Sequence, residues 1–133
     1  MKYLIDTHIF IWLAVAPEKI SKKLLAILEN PLNEIFVSTV SLWEIAIKLS
    51  IGKLDLQGLD LDDLLQFCDE QNLEVIQLPV SAVRQYRNLP KKSNHKDPFD
   101  RCLFSLCIAE DYTLLTVDGK AKLYTDSGLH FIN

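Results

Sequence analysis

Short apolar runs, separated by stretches with helical spacing, constrain this chain more than any other feature. Tyr3-Leu4-Ile5, Ile35-Phe36-Val37-Ser38, Leu73 to Leu78, Thr113 to Val117 and Leu129 to Ile132 have strand length. The first is continuous rather than alternating, the pattern of a strand buried on both faces of a parallel sheet. Between them the spacing predicts an apolar helix or turn over Ile9 to Leu13 and helices over Ser21 to Glu29, Leu42 to Ser50, Leu59 to Asn72, Ser81 to Leu89 and Asp97 to Glu110. Leu24, Leu25 and Leu28 recur at helical intervals, as do Leu61, Leu64, Leu65 and Cys68. A polar loop, Pro90 to Lys96, and a helical turn, Lys120 to Tyr124, complete the pattern. Strands alternating with helices predict one α/β domain over residues 1–133, with a mostly parallel central sheet of about four to five strands flanked by helices and right-handed crossovers.

Composition narrows the function classes. With 49% hydrophobic and 24% charged residues, the chain reads as a soluble globular protein with no disordered tract. A net charge of -4 argues against nonspecific coating of nucleic acid. A local basic path remains open, because six of the fourteen Lys and Arg (Arg84, Arg87, Lys91, Lys92, Lys96, Arg101) lie close together; a solvated face is the alternative for such a run. Cys68, Cys102 and Cys107 lack Cys-x-x-Cys spacing and read as buried thiols of a reducing cytoplasm. Ile9 to Val15, followed by Ala16, imitates an export signal, but Asp6 and His8 interrupt its approach. No apolar run reaches the roughly 18 residues a membrane helix needs, and the expected location is cytoplasmic.

Four acids stand where strands end or helices begin. Asp6 and Asp118 each follow a predicted strand, Glu44 comes one helical turn after another, and Asp100 lies in the first turn of a helix with Asp97 as N-cap and Pro98 at its first position. In a parallel sheet all four reach the carboxyl edge, where open α/β sheets bind ligands. Brought together they repel, and such a cluster needs a cation or raised pKa values; hard oxygen donors suit Mg2+ or Mn2+. Each acid also has a structural explanation. Ser41-Leu42-Trp43-Glu44 fits a capping box, Asp97 and Asp100 suit a helix N-terminus, Asp118-Gly119 is a turn dipeptide, and Asp6 can cap the helix after it. Thr7 and Thr116 are auxiliary candidates that could orient Asp6 and Asp118 or hold waters, against plain β-propensity. Arg101 either neutralises the cluster or touches a phosphate, against a surface ion pair. Lys48 stands four residues after Glu44, a spacing that supports a helix in any case. His95 is a possible substrate contact, and His130 reads as structural.

Taken together, Leu4-Ile5-Asp6-Thr7-His8, Ser41 to Lys48, His95-Lys96-Asp97-Pro98-Phe99-Asp100-Arg101 and Thr116-Val117-Asp118 resemble the PIN-domain family, and more narrowly the VapC toxins of type II toxin-antitoxin systems. The resemblance runs from Tyr3 to the last predicted strand. It implies a Mg2+- or Mn2+-dependent endoribonuclease held inactive by a cognate antitoxin. Matched by position, Asp6, Glu44, Asp100 and Asp118 are its acidic quartet, catalytic and metal-binding, with Asp97 an auxiliary acid. Lys96 stands where the family often has arginine. Lys48, His95, Lys96 and Arg101, with Lys53 and the rest of the Arg84–Arg101 segment, are candidate RNA contacts. The resemblance further implies a homodimer or a toxin-antitoxin hetero-oligomer, and an antitoxin able to insert a basic side chain into the acidic site.

Three other readings compete. A receiver-like signalling domain also has an acidic metal pocket, but no aspartate follows the Ile35–Ser38 run and no lysine ends a late strand. A noncatalytic binding domain would use all four acids as caps. A haloacid-dehalogenase-like phosphatase would want an acid where His8 stands. Phe10, Trp12, Trp43, Ile47 and Ile51 exceed what one small core needs, so some of them could line a groove for an antitoxin helix or a dimer contact, against core packing.

Overall fold

The computed structural model describes residues 1–92 and 95–133, so part of the predicted Pro90–Lys96 loop lies outside the described residues. Five strands form one sheet: β1 (Lys2–Ile5), β2 (Glu34–Ser38), β3 (Leu73–Ile76), β4 (Thr113–Leu115) and β5 (His130–Ile132). Their order is β3-β2-β1-β4-β5, and every pairing is parallel. The expected α/β architecture is therefore present, with the sheet wholly parallel. The chain winds outward from β1 to β2 and β3 on one side and to β4 and β5 on the other. The order reverses between β1 and β4, which opens a crevice at their carboxyl ends.

Among the described residues six α-helices cover the sheet: α1 (Thr7–Val15), α2 (Lys22–Glu29), α3 (Thr39–Ser50), α4 (Leu61–Glu70), α5 (Val80–Asn88) and α6 (Pro98–Glu110). Period-two strand geometry sends Tyr3, Ile5, Ile35 and Val37 to one face, against Ile9, Phe10, Leu24, Ile45 and Leu64 of α1 to α4. Leu4, Phe36 and Leu114 face the other side, against Ala82 of α5, Leu103, Phe104 and Leu106 of α6, and Ala121 and Tyr124. Both faces are covered, which is why the strands read as continuous apolar runs. The last segment before β5 is longer than expected, a 3-10 stretch over Gly119–Ser127 that ends on Gly128 at φ 98°.

One expectation about helix starts is overturned. α3 begins at Thr39, directly after β2, and its N-cap is Ser38, whose hydroxyl accepts from Val40 N at 3.0 Å. Ser41 is therefore already in the first turn, and Ser41–Glu44 is not a capping box. Local sequence could not separate the two serines, because strand and helix meet without a turn. The capping box belongs to α4, where Asp60 and Asp63 bond reciprocally. Replacing Ser38 with alanine is expected to lower stability by about 0.5–2 kcal/mol, the range for a lost cap, measured as a shift in urea midpoint at unchanged slope. By contrast Ser21 caps α2, Asp6 caps α1 and Asp97 caps α6, as expected.

Candidate metal centre

Each acid reaches the crevice for a local reason. Asp6 ends β1 at extended dihedrals; its Oδ1 accepts from Ile9 N at 2.8 Å, starting α1. Its Oδ2 accepts from the hydroxyl of Thr116 and from Val117 N at 3.3 Å, both just beyond the neighbouring β4. Thr116 Oγ1 in turn accepts from Asp118 N at 2.9 Å, so one threonine ties the two strand-end acids together. Asp118 caps the 3-10 stretch through Lys120 N at 2.9 Å. Its capping role and its place at the sheet edge coexist, as they do for Asp6.

Glu44 follows from the earlier start of α3. One turn further along than a capping-box position, its carboxyl turns inward and is 3% exposed. Thr7 Oγ1 lies 2.8 Å from Glu44 Oε1 and 2.9 Å from Ser41 Oγ. A hydroxyl has one proton and a carboxylate only accepts, so Thr7 donates to Glu44 and receives from Ser41. Lys48 donates to Glu44 Oε2 at 2.7 Å. Of the two threonines expected to orient acids, Thr116 contacts Asp6, whereas Thr7 serves Glu44.

Asp100 lies in the first turn of α6, where Asp97 Oδ1 caps the helix through Phe99 N and Asp100 N at 2.9 and 3.3 Å. Burial, then the charges of Asp97, Asp118, Glu44 and Asp6, push its carboxyl up to about 7. Burial also raises Asp6, against the lowering effect of its hydrogen bonds. Acids far apart in sequence thus sense one another electrostatically at Asp100. Among the described residues, His95, Asp100 and Asp118 offer ligand atoms all within 4.8 Å of one another. The donor set is dominated by partly buried carboxylate oxygens whose mutual repulsion a divalent cation would relieve, and it fits Mg2+ or Mn2+.

The PIN-domain family model matches residues 3–125. The chain belongs to the PIN-domain family. Solved structures show the same fold over the whole chain. VapBC2 from Rickettsia felis, bound to a DNA fragment from its promoter, is 25% identical, covers 100% of this chain and 98% of its own, and has a TM-score of 0.72. VapBC-1 from nontypeable Haemophilus influenzae is 18% identical with a TM-score of 0.71, covering 100% and 98%. DNA-bound VapBC from Salmonella typhimurium is 15% identical with a TM-score of 0.67, covering 99% and 97%. No curated protein sequence matches the chain.

The basic candidates of this PIN domain divide into two groups. Lys96 is exposed and lines, with Tyr86, Lys91, Lys92, His95 and Arg101, a cavity of about 610 Å³. Lys48 is committed to Glu44, and it lines with the exposed Lys53 a separate cavity beside His8 and Trp12 of α1. Arg101 lines the first cavity but is buried, its guanidinium engaged within the protein. Its guanidinium donates to Pro90 O at 3.1 Å and to the Tyr124 hydroxyl at 2.9 Å, and stacks over Tyr86. His95 is 2% exposed, with Nδ1 2.8 Å from the Tyr124 hydroxyl and Nε2 3.4 Å from Asp100 Oδ2. Burial lowers its pKa, favouring the neutral ring. Tyr124 is the residue beside this site that sequence reading missed: nothing in a tyrosine next to Leu123 in a short helical turn points to the acids, and only the fold aims its hydroxyl at His95.

The remaining sequence expectations can be placed. Cys68, Cys102 and Cys107 are free thiols, each raised by burial. Phe10 is core, while Trp43 and Ile51 are exposed, and Trp43 meets Phe99 edge-to-face at 5.4 Å. Among the described residues no helix is long and apolar enough to cross a membrane.

Proposed function

We propose that this PIN domain is a Mg2+- or Mn2+-dependent endoribonuclease, the toxin of a type II toxin-antitoxin pair acting in the cytoplasm. One observation supports the reading: at the topological switch of the sheet, burial and then the charges of Asp97, Asp118, Glu44 and Asp6 together raise the Asp100 carboxyl to about 7. Asp6, Asp100 and Asp118 are the residues to hold the ion, with Glu44 as a further ligand or a group that orients water. When bound, such an ion acidifies water and neutralises charge gathering on a phosphodiester.

The chain's own groups do the positioning. Asp6 cannot turn away, because the Thr116 hydroxyl and Val117 N hold one oxygen while Ile9 N holds the other. Thr7 and Lys48 hold the two oxygens of Glu44. The cavity lined by Lys91, Lys92 and Lys96 is suited to an RNA backbone next to the acidic crevice, and its contribution to binding should weaken steeply with salt. The fold shared with VapBC complexes supports an antitoxin partner, in a toxin-antitoxin hetero-oligomer or with a homodimer. The exposed Trp43 and the partly buried Phe99 offer that partner apolar surface next to Glu44 and Asp100.

The test is RNA cleavage by purified wild type and Asp6→Asn, with and without Mg2+, followed by analysis of the cut ends. Wild type is expected to leave 5′-phosphate and 3′-hydroxyl ends only with the metal, and Asp6→Asn to leave RNA intact. Full divalent-dependent cleavage by Asp6→Asn, in a preparation free of contaminating nuclease, would end the assignment.

A further inference from the structure

Behind the acidic crevice lies a buried polar chain that no cap or core contact requires. Tyr124 is fully buried, and its hydroxyl touches two groups: Arg101, at 2.9 Å from a guanidinium nitrogen, and His95 Nδ1, at 2.8 Å. Arginine has no acceptor and stays charged, so it donates to the phenolic oxygen. The phenol keeps its own proton, and a buried hydroxyl needs an acceptor for it. Among the described residues, Nδ1 is the acceptor within reach. A ring nitrogen that accepts is unprotonated, which puts the proton of a neutral His95 on Nε2. That nitrogen lies 3.4 Å from Asp100 Oδ2 and 3.8 Å from Asp118 Oδ2.

We propose that Arg101 and Tyr124 fix His95 as the Nε2–H tautomer, making His95 a donor that orients Asp100, with Asp118 beside it, and not a ligand for the metal. The opposite tautomer fails at Tyr124, which it would leave with a buried, unaccepted proton, and it would aim an imidazole lone pair at the Asp118 carboxylate and at Asp100 whenever that acid is ionised. Arg101 is in turn anchored by Pro90 O and by the rings of Tyr86 and Tyr124, and Phe104 stacks on His95 at 5.3 Å. Tyr124 and Arg101 are thus positioning residues, acting through His95 on the acids. The proposal rests on the metal-site reading for its functional consequence, but the tautomer itself does not.

The experiment has two arms. Long-range nitrogen–proton NMR of the histidine rings in metal-free wild type, with His95 assigned by its absence in His95→Gln, is expected to show a protonated Nε2 and a bare Nδ1. Tyr124→Phe, close in volume, is expected to lose that single-tautomer signature. In the second arm, calorimetric titration with Mn2+ should show about 10–100-fold weaker binding for Tyr124→Phe and His95→Ala, the range for partners that orient metal ligands. His95→Gln, which retains an N–H donor, should recover much of the affinity. A protonated Nδ1 in wild type overturns the proposal, as does Mn2+ binding that is lost in His95→Gln as fully as in His95→Ala. If wild type takes up no Mn2+ yet shows the Nε2–H tautomer, the metal-site reading falls and the hydrogen-bond assignment stands.

Discussion

Asparagine in place of Asp100 is expected to abolish cleavage and, in the same molecule, to stabilise the metal-free protein. The Asp100 carboxyl is pushed up to about 7 from an ordinary value of 3.8, by burial first and then by Asp97, Asp118, Glu44 and Asp6. An acid whose folded pKa exceeds its unfolded value binds more protons when folded, so stability falls as pH rises between the two values. For Asp100 the loss sets in above about pH 4 and is complete above about pH 7, and its full size is on the order of 2–4 kcal/mol. The Asp100→Asn substitution removes that charge, while the new amide oxygen can still accept from His95.

Thermal melts of chelator-treated protein should therefore show wild type more stable at pH 5 than at pH 7.5, and Asp100→Asn less dependent on pH and more stable than wild type at pH 7.5. The raised Asp6 leaves part of the pH dependence in place, while the lowered His95 works in the opposite direction in both proteins, so the comparison between wild type and variant is the decisive one. Added Mg2+ should raise the wild-type melting temperature and leave the variant's nearly unchanged, since binding to the native state alone stabilises it. Cleavage by the variant should fall at least about a hundredfold, beyond the range seen when only a supporting partner of a ligand is lost. A variant less stable than wild type at pH 7.5 without metal would show that the acids do not strain this edge.

The second large effect is in the packing that carries the site. Phe104 is 2% exposed on α6, between the sheet and the crevice. It packs against Tyr124 at 5.0 Å as well as against His95. Phe104→Ala is expected to remove about 3–5 kcal/mol of stability, the range for aromatic truncation in a close-packed core. In a domain whose total is about 5–15 kcal/mol, that is a fall in Tm of roughly 10–20 °C. Phe104→Leu fills more of the space and should lose less. Urea unfolding of both variants, with the His95 ring signals followed below the transition, separates the two roles of the ring. Loss of stability with an intact Nε2–H signature means that Phe104 only packs, whereas joint loss means that it also holds the imidazole.

Much of this molecule is readable locally. Unbroken apolar runs of strand length between helical patterns specify a sheet covered on both faces, and β1 to β5 appear where those runs lie. Asp97-Pro98 specifies the start of α6, because proline lacks the amide that a first-turn residue leaves unbonded and the aspartate accepts from the amides that follow. Asp6 and Asp118 could be placed on the sheet edge, since Asp6 directly follows β1 and Asp118 stands three residues beyond the end of β4. The quartet could also be matched to a family from four short blocks in order. The start of α3 was less legible: Ser38 and Ser41 are both good caps, and the choice depends on how far β2 pairs with β3, a nonlocal matter.

The sequence by itself determined the α/β class, the parallel sheet and which acids stand at strand ends and helix starts, because hydrophobic periodicity and capping are properties of neighbouring residues. Only the tertiary structure decided that Glu44 faces inward to Thr7, that Arg101 turns away from the acids toward Tyr124, and that His95 lies buried between Tyr124 and Asp100. Those arrangements join residues up to 37 positions apart in chain order. They follow from long-range packing and from the need of every buried proton for an acceptor, and neither condition is written in any short stretch of the chain.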